Sequence, residues 1–495
     1  MKRIVPIANP DRLGLLSVPR TFWLLAFVMV ICLDLLSADF AAVAQDAGTV
    51  RVYPFPAGEE SSRDFTVSVQ GRDVPVYVTK VAPAEAKRRW KAMDDKVNSA
   101  AYFDTASFAS FDMQGSVTVT VTCPDAISSV KVLPTASGIV PRAQGNYLTF
   151  TLDKPRLLTI EVNGNWVGSL QLFANPLELD VPRADDPNVI YFAPGIHELQ
   201  QGLRVGDGKT VYLAGGAVLR AVGKGGPLLS LVGRNITLRG RGIIDGALSP
   251  THSRNLLSIH GSDITVEDVI LRDSSTWNMP IRQSERVTVK NIKVLGYRAN
   301  SDGIDICNSR DVTVDGCFLR TLDDLIVVKS DLGKGEVHHI VAKDCVLWNE
   351  VAHALTVGTE LQENVDDVLF TNCDIIHDTG REFSLRVYHG GKATISHVRF
   401  EDIRVEQTHR LISLWINRTP WSLAGEDRGH IKDVTFKNIW AVSPRPVTIA
   451  LQGFDATHEI EGVTFDNVKV NGVRLRPDDV ESNEFVRDVK VEPTL

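Results

Sequence analysis

The chain has 495 residues, with 53 basic against 61 acidic side chains, for a formal charge of −8. Its 43% hydrophobic and 23% charged residues provide for a packed core and exclude an extended disordered chain. The length exceeds one ordinary core and points to two domains, or a domain and a repeat array. The acidic balance gives nucleic acid no electrostatic footing.

Residues 1–44 read as a secretory signal. Lys2, Arg3, Arg12 and Arg20 precede the apolar run Phe22 to Leu36, and Ala42, Val43 and Ala44 supply a small-residue cleavage site. Asp34 breaks the run short of the roughly 18–20 apolar residues that a spanning helix needs. Export to the periplasm or the extracellular space is therefore expected, with no membrane partner after cleavage. Cleavage removes four basic and three acidic residues, taking the charge from −8 to −9. Five cysteines remain: Cys123, Cys307, Cys317, Cys345 and Cys373. An odd number without a CxxC pair argues against a disulfide framework or a zinc ribbon.

Residues 46–180 carry short alternating runs such as Phe65 to Val69, Val117 to Val121 and Tyr147 to Leu152. They are separated by Pro, Gly, Asn and Asp at irregular intervals, which predicts an antiparallel β-sandwich. Ala82 to Lys96 is charged and reads as a helical insert. This domain is expected to cap the N-terminal end of the C-terminal one.

From residue 181 to 480 one short unit recurs, starting at Ile236, Ile264, Val287, Val312, Ile340, Val368, Val398, Val434 and Val463. The starts advance by 28 residues on average. Each unit alternates apolar and polar side chains and then reaches Gly, Asp or Asn, residues that tolerate the left-handed backbone of a tight corner. One unit cannot bury its apolar face alone, but stacked units can, so the period predicts an all-β solenoid, a right-handed parallel β-helix. Cys317, Cys345 and Cys373 recur every 28 residues and are expected to stack inside it. Residues 481–495 read as a tail.

Polar residues depart from the repeat at one place. Counted from the first residue of each unit, Asp302 lies at +15, Asp323 and Asp324 at +11 and +12, His353 at +13 and Arg386 at +18, in four consecutive coils. Coils stacked about 4.8 Å apart bring such positions onto one face. Clustered carboxylates push one pKa up and leave a neighbour ionised, the division between acid and base that glycosidic cleavage requires.

These motifs resemble the polygalacturonases, glycoside hydrolase family 28, on a pectin-lyase-like β-helix. The carriers are Asn300 to Gly303, Leu322 to Asp324 running on to Lys329 and Ser330, Ala352 to Ala354 around His353, and Arg386 to Tyr388. Gly242 to Gly246 is similar to an early-coil signature of the same family. The resemblance implies that Asp323 is the general acid and that Asp302 and Asp324 activate water, with inversion at the anomeric carbon. It also implies that His353 tunes the acid and that Arg386 binds sugar, with no metal or organic cofactor. Asn300, Lys329, Tyr388 and Trp277 are expected to bind substrate beside Arg386, and Trp415 and Trp421 are further stacking candidates. The family's lysine is replaced by Tyr388, which cannot neutralise a carboxylate. A sandwich joined to such a helix is also similar to the dextranases and isopullulanases of family 49, which act on neutral glucans. The expected partner is a polysaccharide or oligosaccharide. A polysaccharide lyase and a non-catalytic glycan-binding β-helix are the alternatives.

Overall fold

The structure, a computed structural model, describes residues 48–85, 102–379, 381–422 and 428–492. The signal segment and nearly all of the charged insert lie outside these residues. Among the described residues, no helix is long and apolar enough to cross a membrane.

Residues 189–491 wind into a right-handed parallel β-helix whose 30 strands form one continuous ladder. The repeat and the register coincide: Ile236 pairs with Ile264, Ile264 with Val287, and so on through all nine unit starts. Val463 then pairs with Val489, so residues 481–492, read as a tail, contribute two further strands to the stack. The fifth residue of every unit, from Gly240 to Asn467, has positive φ, as the Gly, Asp and Asn at that place require. The residue before every unit does too, including Arg286, His339 and His397. Each strand is thus bounded by two left-handed corners. Inside, Phe370, Phe400, Phe436 and Phe465 stack at 4.9–5.3 Å, and Cys317, Cys345 and Cys373 lie fully buried as a second internal column.

Residues 48–176 contain a six-stranded and a five-stranded sheet that share one apolar cluster, with Phe111 and Leu172 from one and Val119 and Phe150 from the other. This part does not sit on the end of the solenoid. It lies along its flank, where Tyr77, Phe108, Leu133 and Phe173 cover Val218, Ile243, Ile270, Leu295, Phe318 and Val346. The cause is visible in the second strand of each coil. Pairs such as Ile243 and Ile244, Ile270 and Leu271, and Phe318 and Leu319 place apolar side chains on both faces, so the outward face needs a cover. Buried ion pairs fix the register of the two parts: Arg241 to Asp112 at 2.7 Å and Arg272 to Glu59 at 2.9 Å. Asp245, from the early-coil signature, is part of this seam, bound by Arg272 at 2.8 Å and Arg220 at 2.9 Å.

Candidate active site

The ladder aligns the unusual polar residues. Ile304, Ile326, Leu355 and Leu385 are successive register partners. Asp302, Asp324 and His353 each stand two residues before the first three, so they form one column at the mouth of the strands. Arg386 pairs with Thr356 within the ladder, and Tyr388 pairs with Trp415 two residues further on.

These side chains border a cavity of about 380 Å³ that gathers Asn300, Asp302, Asp323, Asp324, Lys329, His353, Arg386, Tyr388 and Trp277, every site residue expected from the motifs. A larger open groove, about 670 Å³, lies at the far ends of the strands beside Asn308 and Arg310 and gathers none of them. Carboxylate oxygens of Asp302, Asp323 and Asp324 all lie within 4.8 Å of one another. Such a triplet could also hold a divalent cation, but the Lys329 ammonium already donates to Asp302 Oδ2 at 3.0 Å and to Asp305 Oδ1 at 2.9 Å. Asp302 is 3% exposed, and its buried Oδ1 has no hydrogen-bond partner among the described residues.

His353 links acid and cation. Its Nε2 accepts from Arg386 Nη1 at 2.8 Å, which leaves the ring proton on Nδ1 to be donated to Asp324 Oδ1 at 2.6 Å. The imidazole therefore holds Asp324 rather than Asp323, the acid it was expected to tune. The reason is the column itself, since Asp324 and His353 share one register position and Asp323 stands beside it. Arg386 Nη1 also donates to Glu382 Oε2 at 2.9 Å, and its guanidinium lies 3.9 Å over the Tyr388 ring. Tyr388 in turn stacks on Trp415 at 4.9 Å, and Lys329 sits 3.9 Å over Trp277.

Proton affinities divide the acids. Burial, reinforced by the charges of Asp302 and Asp324, holds Asp323 well above the ordinary carboxylate range. Burial also raises Asp302 and, reinforced by the charges of Asp302 and Asp324 against the pull of Lys329, holds Asp305 well above the ordinary carboxylate range. Asp324 goes the other way. Burial pushes it up, but the His353 imidazole, its backbone N–H and the nearby Lys329 outweigh burial and set it below its usual value. Lys329 itself loses hydration on burial, yet Asp302 and Asp305 keep it well above the normal lysine value. The surroundings thus drive the proton affinities of the neighbouring Asp323 and Asp324 in opposite directions.

Reading by repeat missed Thr359, Glu360, Arg381 and Glu382, which line the same cavity. Glu382 stands four residues before Arg386, and that charge spacing was its one sequence signal.

Residues 204–484 match glycosyl hydrolases family 28, more than half of the chain. The chain belongs to that family. A polygalacturonase of Juniperus ashei is 26% identical over 270 residues, 49% of this chain and 50% of that protein. This family 28 chain spans about half the length of the curated relatives it matches. Among solved structures, Dex49A from Penicillium minioluteum aligns with a TM-score of 0.58 at 14% identity, over 89% of this chain and 96% of its own. A Thermotoga maritima exopolygalacturonase aligns with a TM-score of 0.52 at 14% identity, over 61% of this chain and 84% of its own. At those identities the likeness is one of fold, and for Dex49A it extends beyond the solenoid into the two-sheet part.

Proposed function

We propose that this family 28 protein is an exported hydrolase of O-glycosidic bonds in a polysaccharide or oligosaccharide, and that Asp323 is its general acid. The observation that carries this reading is the contact of Asp302, Asp323 and Asp324 in one cavity with proton affinities driven in opposite directions. The Asp323 carboxyl gives its proton to the glycosidic oxygen as the bond to the anomeric carbon breaks. A water attacks that carbon and passes its proton to Asp324 or Asp302, whose unpartnered Oδ1 is a ready acceptor. His353 keeps Asp324 ionised, and Arg386 anchors the imidazole. Attack by water in a single displacement inverts the anomeric centre. Trp277, Tyr388, Asn300 and Lys329 border the space for the sugar. The step requires no metal or organic cofactor.

The test is a product-resolved assay on pectic, rhamnogalacturonan, xylogalacturonan, dextran and pullulan substrates. Wild type should release reducing ends, and Asp323→Asn should lower turnover by about 10²–10⁴-fold while the circular dichroism spectrum is retained. Ultraviolet-absorbing unsaturated products would establish a lyase instead. Unchanged glycan binding, with no cleavage by either protein, would make the chain an adhesin. Nuclear magnetic resonance of the first-formed anomer checks inversion, and N-terminal sequencing of the exported protein checks cleavage near Ala44.

A further inference from the structure

The three aspartates account for bond cleavage, whereas the remaining charges of the cavity bear on which sugar can enter. Five carboxylate side chains line the cavity against three cationic ones. Arg386 is 4% exposed at its side chain. Its Nη1 is shared between His353 Nε2 at 2.8 Å and Glu382 Oε2 at 2.9 Å, and its face is covered by Tyr388. Lys329 is held by Asp302 and Asp305, with the charge of Glu360 adding to their pull. Arg381 lies within the fields of Glu382 and Asp323.

A sugar carboxylate entering here meets cations whose charge the protein already balances. It would have to compete with Glu382 for the charge of Arg386, or with an aspartate for Lys329, and sit among the other carboxylates in a partly desolvated space. Both steps disfavour an anion. A neutral pyranose meets neither obstacle. Its hydroxyls can donate to those carboxylates, and the Tyr388–Trp415 stack and Trp277 offer flat apolar faces for its ring. Specificity of this kind is built from a repulsive element as much as from an attractive one.

We propose that Glu382 determines specificity by occupying Arg386, so that the cleft accepts neutral glycosyl residues and rejects uronates. This rests on the hydrolase reading and names its substrate class. Glu382 is a third exposed at its side chain, so Glu382→Gln keeps its size without disturbing a core.

The experiment compares wild type and Glu382→Gln on neutral polymers (α- and β-glucans, galactans, arabinans, xylans) and on polygalacturonate and other uronans. It reads kcat and KM separately. Wild type should favour its best neutral polymer over every uronan by at least about 100-fold in kcat/KM. Glu382→Gln should narrow that ratio by about tenfold, chiefly through a lower KM for the uronan, because the guanidinium is freed. A uronan cleaved fastest by wild type overturns the proposal while leaving the hydrolase intact, as does a ratio that Glu382→Gln leaves unmoved. If neither protein cleaves any polymer, the hydrolase reading falls. Calorimetric titration with neutral and uronic oligosaccharides then decides the charge preference alone: tighter binding of the neutral sugar supports it, and tighter binding of the uronic sugar overturns it.

Discussion

His353 is the residue on which the charge arrangement turns. Its Nδ1–H supports Asp324 at 2.6 Å, and its Nε2 is fixed by Arg386 at 2.8 Å, so the ring can neither rotate nor change tautomer without breaking one bond. Catalysis as proposed needs Asp324 ionised and Asp323 protonated. Activity should therefore fall on the acid side as pH drops through the lowered pKa of Asp324. On the alkaline side it should fall as pH rises through the raised pKa of Asp323. In His353→Ala, burial of Asp324 is offset only by Lys329 and the backbone N–H of residue 353, and its pKa rises. The acid limb of kcat/KM should move to higher pH, with the alkaline limb moving far less. A uniform drop in kcat with both limbs in place would make His353 a positioning residue without influence on the proton balance. The column of Asp302, Asp324 and His353 was legible because each departs from an otherwise regular repeat. Glu360, Arg381 and Glu382 were not, because the phase of a coil does not say which way turn side chains point.

At the scale of the strand, the repeat fixed register and corner residues together, since every unit start pairs with the next and every fifth residue is left-handed. The left-handed residue before each unit escaped notice because Arg286, His339 and His397 share no turn-forming chemistry with the Asn and Asp at the same place. The outward column of the flank strand has its own exception. Lys293 stands in register between Ile270 and Phe318, fully buried, donating to Asn175 Oδ1 at 2.5 Å and to Asn291 O at 2.7 Å. Burial, with the nearby Arg241 charge, brings its pKa down to about 7, against the pull of Asp268. An unfolded lysine keeps its proton to about 10.4. Between those values the unfolded chain binds a proton that the folded chain does not, so this residue makes stability rise with pH across that window. Lys293→Met should unfold at higher denaturant than wild type at pH 7, and the gap should close towards pH 10. An equal gap at both values would mean that packing, not charge, sets the difference.

The whole molecule is a solenoid with one wall that cannot face water. Solenoids normally present polar residues on the outside of each strand, but here Val218, Ile243, Ile270, Phe318 and Val346 form an outward apolar stripe covered by Tyr77, Phe108 and Phe173. Strands of the two-sheet part such as Thr66–Val69, Val117–Thr122 and Tyr147–Leu152 were readable from their alternating runs. The place of that part was not, because a double-faced apolar strand shows in sequence as an ordinary buried one, with no sign of which element covers it. The family match confined to residues 204–484 invites expression of the solenoid alone. Stripping the cover would expose that stripe and leave Arg241 and Arg272, both buried here, with part of their ion pairs gone. A chain beginning at residue 185 should therefore aggregate or bind a hydrophobic dye, whereas a chain beginning at residue 48 should elute as a single species. Replacing Val218, Ile243, Ile270 and Phe318 with threonine in the short chain should restore part of its solubility, and the same four changes in the long chain should lower its unfolding temperature. Opposite signs for identical substitutions would identify the stripe as an internal interface. A short chain that is soluble and cleaves glycan at the full rate would show instead that the solenoid stands without its wall.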